Sequence, residues 1–169
     1  MSELEGGRMQ TVTVAIADPN PGRRNKLEQI LRGEQGIEVL TNVMSNGSDV
    51  TLERQPEPDS STVEAEDLIV KIGHLRPRIL FINLDPSNNA NFTLLEALHR
   101  QYPETFVVLL TDKTIHEEQI IQALANGARG CLSHEADPFY FLKAVRVVDR
   151  GEIWVTRKML GKMMDKVLH

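Results

Sequence analysis

Five short apolar runs alternate with segments whose apolar residues recur at helical spacing, and this alternation constrains the chain more than any other feature. Val12 to Ala17 is β-branched and mostly apolar, the composition of a strand. Asp18-Pro19-Asn20-Pro21-Gly22 breaks it; Asn20 can cap a helix and Pro21 can take its first position. Leu27, Ile30 and Leu31 then form one stripe, which ends near Gly33 to Gly36. Ile37 to Val43 reads as a second strand. Ile79 to Ile82 and Phe106 to Leu110 are unbroken apolar runs, as in strands covered on both faces, and Gly130 to Ser133 is a short fifth. The intervening helices are predicted over Val63 to Leu75, Asn91 to Gln101, the stretch after a Thr114-to-Glu117 capping box, and Asp137-Pro138 to Gly151. In the last of these Phe141, Ala144, Val145 and Val148 face inward. Strands joined by helical crossovers pair in parallel, and right-handed crossovers place helices on both faces. The expectation is therefore an α/β, doubly wound fold, with the strand order left open by periodicity alone.

The rest of the chain divides simply. At 169 residues it suits one domain with appendages. Residues 1–10 read as a disordered tail, 11–155 as the domain, and 156–169 as a C-terminal linker or dimerisation helix. About 45–62 is an acidic loop insertion with Asn46-Gly47, Pro56, Pro58 and little apolar anchorage, expected to be mobile. Seven acids and one base, Arg54, lie between Asp49 and Asp67, so the stretch carries −6 and the rest of the chain sums to about +1. A solvated loop explains that run more simply than an acidic docking segment. A pI near 5.6 argues against nucleic-acid binding by this chain alone. The single cysteine, Cys131, excludes an intrachain disulfide and fits a reducing compartment. With no secretory leader and no apolar run of membrane-spanning length, a cytoplasmic location is expected.

Several segments in register resemble a bacterial response-regulator receiver domain. They are Ala17-Asp18-Pro19-Asn20-Pro21, Arg76 to Leu84, Val108-Leu109-Leu110-Thr111, Ala123 to Leu132, and Arg150-Gly151-Glu152-Ile153-Trp154. The resemblance runs from about Val12 to Val155, and is strongest to receivers that precede a LuxR-type helix-turn-helix. It implies a flavodoxin-like (βα)5 sandwich with a five-stranded parallel sheet in the order 2-1-3-4-5, plus the extra C-terminal helix. It also implies a site at the C-terminal ends of the strands. There a working receiver carries two acids after strand 1, a phosphoacceptor aspartate after strand 3, a hydroxyl after strand 4 and a lysine after strand 5.

This sequence departs from that pattern. Asp18 keeps the first acid, Pro19 stands in place of the second, Asn83 replaces the acceptor, Thr111 keeps the hydroxyl and His134 replaces the lysine. An amide oxygen is a poor nucleophile and forms no acyl phosphate. Mg²⁺ prefers anionic oxygens, and Asp18 is its only residual ligand candidate. His134 is no permanent cation, since an ordinary imidazole titrates near pH 6.5. The expected arrangement is a neutral polar cluster in which Asn83, Thr111 and His134 bond to one another or to Asp18, with no metal and no cofactor. The resemblance thus implies a degenerate receiver, or pseudo-receiver. It would act in two-component signal transduction and transcription regulation as a phosphorylation-independent dimerisation module. A sensor or regulatory protein would be a partner, and DNA would be reached only through a domain outside this chain.

Two rivals stand beside this reading. One is a phosphorelay protein using a displaced acceptor such as Asp85, although Asp85-Pro86-Ser87-Asn88 is more simply a turn. The other is a flavodoxin-like ligand-binding domain or enzyme. Asp18 to Pro21 stands where a Gly-rich phosphate loop would lie, and no Ser or Cys nucleophile has an evident base, so no catalytic activity is expected. His134 has no second His or Cys at ligand spacing, which disfavours zinc. Cys131, inside strand 5, reads as a structural thiol. Phe139 and the set Met159, Leu160 and Met163 from the last helix, Arg157 to Leu168, are the expected dimer contacts.

Overall fold

The computed structural model describes residues 11–40, 60–83, 90–112 and 114–168. Five parallel strands, β1 (Val12–Ala17), β2 (Ile37–Leu40), β3 (Ile79–Asn83), β4 (Phe106–Thr111) and β5 (Gly130–Ser133), form one sheet in the order β2-β1-β3-β4-β5. The helices are α1 (Pro21–Arg32), α2 (Ser60–Leu75), α3 (Ala90–Gln101), α4 (Glu117–Ala125), α5 (Pro138–Asp149) and α6 (Arg157–Leu168). This is the doubly wound fold expected from the alternation, in the flavodoxin-like strand order that the resemblance implies.

The strands are apolar on both faces because helices cover both. On one face Ala15, Leu80, Ile82, Val107 and Leu109 meet Leu68 and Ile72 of α2, Leu95 and Leu98 of α3, and Ile121 and Leu124 of α4. On the other, Val14, Ile16, Phe81, Val108 and Leu110 meet Leu27 and Leu31 of α1 and Phe141, Ala144, Val145 and Val148 of α5. Consecutive strand residues thus supply opposite cores, as a pleat requires.

Three boundaries differ from the sequence reading. The α2 helix begins at Ser60, so the last residues assigned to the loop are helical. Asn83 is the last residue of β3, in register with Leu110, instead of the first beyond the strand. Finally, α4 starts at Glu117 with Gln119 Oε1 accepting from the His116 amide at 3.0 Å. Thr114 belongs to a turn instead: its amide and hydroxyl both donate to Asp112 Oδ1, at 2.8 and 2.6 Å. The tail 1–10, residues 45–59 of the acidic loop, and Asp85 lie outside the described residues.

The segment after α5 runs back along β5. Trp154 bridges Gly130 in parallel; its amide donates to the Arg129 carbonyl at 2.9 Å, and its carbonyl accepts from Cys131 at 3.1 Å. Only glycine permits this approach, since a Cβ on residue 130 would lie 2.6 Å from the Trp154 carbonyl oxygen. The outer edge of the sheet is thereby covered. The chain then enters α6, which packs on α4. Met159 is buried in the α2–α3–α4 core and Met163 packs against it. Lys158 and Lys162 pair with Glu117, and Lys166 with Glu118. Met159 therefore cannot be a dimer contact: at 5% exposure it is already covered by its own domain. Leu160, Met164, Val167 and Leu168 remain on the outer side. Among the described residues no helix is long and apolar enough to cross a membrane.

Candidate functional site

The C-terminal ends of β1, β3, β4 and β5 converge on Asp18, the first residue past β1 and only 1% exposed. A carboxylate so deeply buried requires partners. Arg23 supplies them as a two-pronged fork, Nε donating to Oδ2 and Nη2 to Oδ1, each at 2.9 Å. The Asn20 amide adds a third bond to Oδ1 at 3.0 Å, and Arg24 Nη1 donates to the Asp18 carbonyl at 2.8 Å. The local sequence builds this clasp. Asn20 caps α1 by accepting from the Arg23 amide at 3.0 Å, and Pro21 starts the helix. The first turn thus holds Arg23 beside the carboxylate. The bond to Asp18 raises the guanidinium pKa further, against the opposing effect of burial.

Asn83 and His134 form the second half of the site. His134 Nε2 lies 2.7 Å from Asn83 Oδ1. An amide oxygen can only accept, so the proton of the neutral ring sits on Nε2 and Nδ1 is bare. That bare nitrogen lies 3.9 Å from Asp18 Oδ2. The ring is held by its main chain, whose amide donates to the Thr111 carbonyl at 2.9 Å. Thr111 does not join the side-chain cluster as expected: its buried hydroxyl donates, at a long 3.4 Å, to the Leu132 carbonyl within the β4–β5 layer. Pro19 is exposed at the mouth of the site.

Burial first, then the nearby Arg23 charge, holds the His134 pKa below its usual 6.5; Asp18, Asp112 and Glu135 oppose this more weakly. The native state therefore takes up this proton at lower pH than the unfolded chain does. Stability should fall as pH drops through 6.5, and the effect should be absent well above it. His134→Gln is expected to flatten this part of the stability profile, measured by urea unfolding at pH near 7.5 and near 5.5. An unchanged difference between the two pH values would assign it to other groups.

Both Asp18 oxygens are engaged by a guanidinium, Asn83 is neutral, and Mg²⁺ would have to displace Arg23 to coordinate. Among the described residues no group of three or more His, Cys, Asp or Glu side chains could hold a metal ion. The structure brings Asp18, Asn83 and His134 together at the strand ends. Arg23 was missed, although an arginine in the first turn after an Asn cap, five residues beyond a lone acid, is a readable signal.

No protein-family model matches the chain. It is similar to the oxygen regulatory protein NreC of Staphylococcus haemolyticus, 23% identical over 157 residues that take in 92% of this chain and 63% of the relative. NreC of Staphylococcus aureus strain JH9 is 24% identical over 154 residues, covering 90% and 62%. The chain thus spans less than two thirds of these relatives. Among solved structures it resembles the isolated REC domain of RcsB from Salmonella enterica serovar Typhimurium, with a TM-score of 0.68 and 15% identity over 92% of this chain and 99% of that one. A LuxR-family two-component response regulator from Aurantimonas sp. SI85-9A1 aligns with a TM-score of 0.69 and 12% identity over 95% and 100%. The fold is that of a response-regulator receiver domain. Solved structures with this fold include that LuxR-family regulator.

Proposed function

We propose that this domain is a receiver that works without phosphorylation, as a binding and dimerisation module of a cytoplasmic response regulator. The observation that carries the reading is the Arg23 fork on Asp18. A receiver's first acid serves by offering its charge to a metal, and here a cation built into α1 already neutralises it. Asn83, at the end of β3 where the resemblance puts the acceptor, engages its amide oxygen with His134. Transcription would be controlled through a DNA-binding domain outside this chain, as the LuxR-type similarity suggests, with a sensor or regulatory protein as partner. Homodimer contacts would come from the outward residues Phe139 and Leu160, with Met163 half-buried between that surface and the core.

The test is phosphorylation with acetyl phosphate and Mg²⁺, read by intact-protein mass and by hydroxylamine sensitivity. No adduct is expected on the wild-type chain. Asn83→Asp alone should restore little, because Arg23 still occupies Asp18 and His134 offers no ammonium to the phosphoryl oxygens. A stable, hydroxylamine-labile adduct on the wild-type chain would overturn the reading and return attention to another acceptor, such as Asp85.

A further inference from the structure

The outer side of α6 carries Leu160, Met164, Val167 and Leu168, which are 45, 53, 79 and 71% exposed. Their spacing is that of one helical face, since residues three and four apart stand above one another. Half of the eight exposed large apolar side chains among the described residues thus fall on one helix of 12 residues, a density that marks an interaction surface. The neighbouring stripe, Met159 and Met163, already packs into the domain's own core. Lys158, Lys162 and Lys166 lie on the opposite flank, paired with Glu117 and Glu118, so no row of like charges borders the outer face.

Gly161 is a second, separate observation. Glycine is the poorest residue for a helix interior after proline. Nothing in its own chain requires it here, because a Cβ at this position would meet no atom within 4 Å. It is exposed, three residues before Met164 and seven before Leu168, at the edge of the stripe. The missing side chain leaves a gap open only from outside, where another surface can come close to the backbone.

We propose that the outer face of α6 pairs with α6 of a second copy of this chain, antiparallel, about a two-fold axis level with Met164. The spacing favours a second copy over an unrelated partner, which would impose no symmetry. Leu160 and Leu168 stand four residues either side of Met164, so the two-fold sets each subunit's Leu168 level with Leu160 and Gly161 of the other. Leu168 then enters the gap that Gly161 leaves. The two Arg157 side chains fall at opposite ends, about 20 Å apart along the helix axis. The four apolar side chains present on the order of 400 Å² per subunit, about half of what each partner of a standard interface buries, so the pairing is weak and concentration-dependent. The inference deepens the dimerisation reading, on which it rests, by giving the partner's position and direction.

Sedimentation of the full chain between about 10 μM and about 1 mM should show a reversible dimer with a midpoint on the order of 100 μM. Gly161→Leu should weaken it about tenfold, yet leave the urea midpoint of the monomer no lower, because the added side chain meets open space in its own chain. Met164→Cys should form a linked dimer in oxidised glutathione. Leu160→Cys and Leu168→Cys should link only when the two are mixed, since like positions lie about 12 Å apart along the axis, beyond disulfide reach. The native Cys131 stays silent, because burial pushes its thiol up to about 11. A chain monomeric throughout would overturn the pairing and the dimerisation reading together. A dimer unaffected by Gly161→Leu, or linking of Leu160→Cys alone as efficient as that of the mixture, would overturn the pairing. If such a dimer is lost in Phe139→Glu, dimerisation itself stands, through the start of α5.

Discussion

Arg23→Ala is expected to destabilise the domain by roughly 2 kcal/mol, which for a domain of this size corresponds to a Tm lower by roughly 6 °C. The residue is a surface helix arginine by position, and most such residues contribute a fraction of this. The difference arises from its partner. Asp18 is 1% exposed, so truncating Arg23 leaves a buried carboxylate at the strand ends to which, among the described residues, only the Asn20 amide donates. Breaking a wholly buried pair costs about 3–5 kcal/mol; the lower figure allows for water reaching Arg23, whose side chain is 39% exposed. Asp18→Asn should cost less, about 1 kcal/mol, because the amide oxygen keeps its Asn20 bond and the freed guanidinium can turn to solvent. The double variant should then lie well short of the sum of the two, a coupling of 1 kcal/mol or more by urea unfolding at about pH 7.5. Arg23→Lys should rescue little, since a single ammonium cannot reproduce a two-pronged fork. Additive single variants would mean that the fork is geometric proximity without energetic weight.

The second large effect is expected at Met159. Met159→Ala should cost about 2–3 kcal/mol, the usual price of truncating a buried methionine. Leu160→Ala, one residue on, should stay within about 0.5 kcal/mol because Leu160 is 45% exposed. Such a contrast would make α6 a component of the domain instead of a linker leaving it. The Lys158, Lys162 and Lys166 pairs with Glu117 and Glu118 orient the helix, but they are solvated and screened, so high salt should change stability little. Sedimentation of Leu160→Glu beside the Met159 variant separates folding from association. A shift towards monomer with unchanged stability would place the dimer contact on the outer side of α6, and equal destabilisation by both variants would contradict the docking geometry.

Much of the fold was legible because its signals are local and redundant. Apolar runs such as Leu80-Phe81-Ile82 and Val107 to Leu110 admit few alternatives to doubly covered strands, and Asn20-Pro21 and Asp137-Pro138 announce helices through capping chemistry that needs no tertiary context. Strand order came from the family resemblance, not from periodicity. What was misjudged depends on three-dimensional competition. Thr114 carries a capping-box spacing, yet Asp112 captures both of its donors and moves the helix start to Glu117. The apolar residues of α6 read as one set, and only docking on α4 divides them into Met159 and Met163 inside and Leu160 and Met164 outside. At the site, the identities of Asp18, Asn83 and His134 disclosed a changed chemistry; the position of Arg23 after the Asn20 cap was a readable signal too, but its fork on both Asp18 oxygens emerges only once α1 is placed.

Trp154 is the only tryptophan in the chain, and it stands at the junction where the strand-like return along β5 passes into α6. Its ring is half-buried, 6.3 Å from that of Tyr140. The position gives the protein an intrinsic fluorophore at the hinge point of its last helix. Release of α6 would bring water to the indole and move its emission to longer wavelength, so undocking can be followed at nanomolar concentration without a label and without waiting for the rest of the fold to melt.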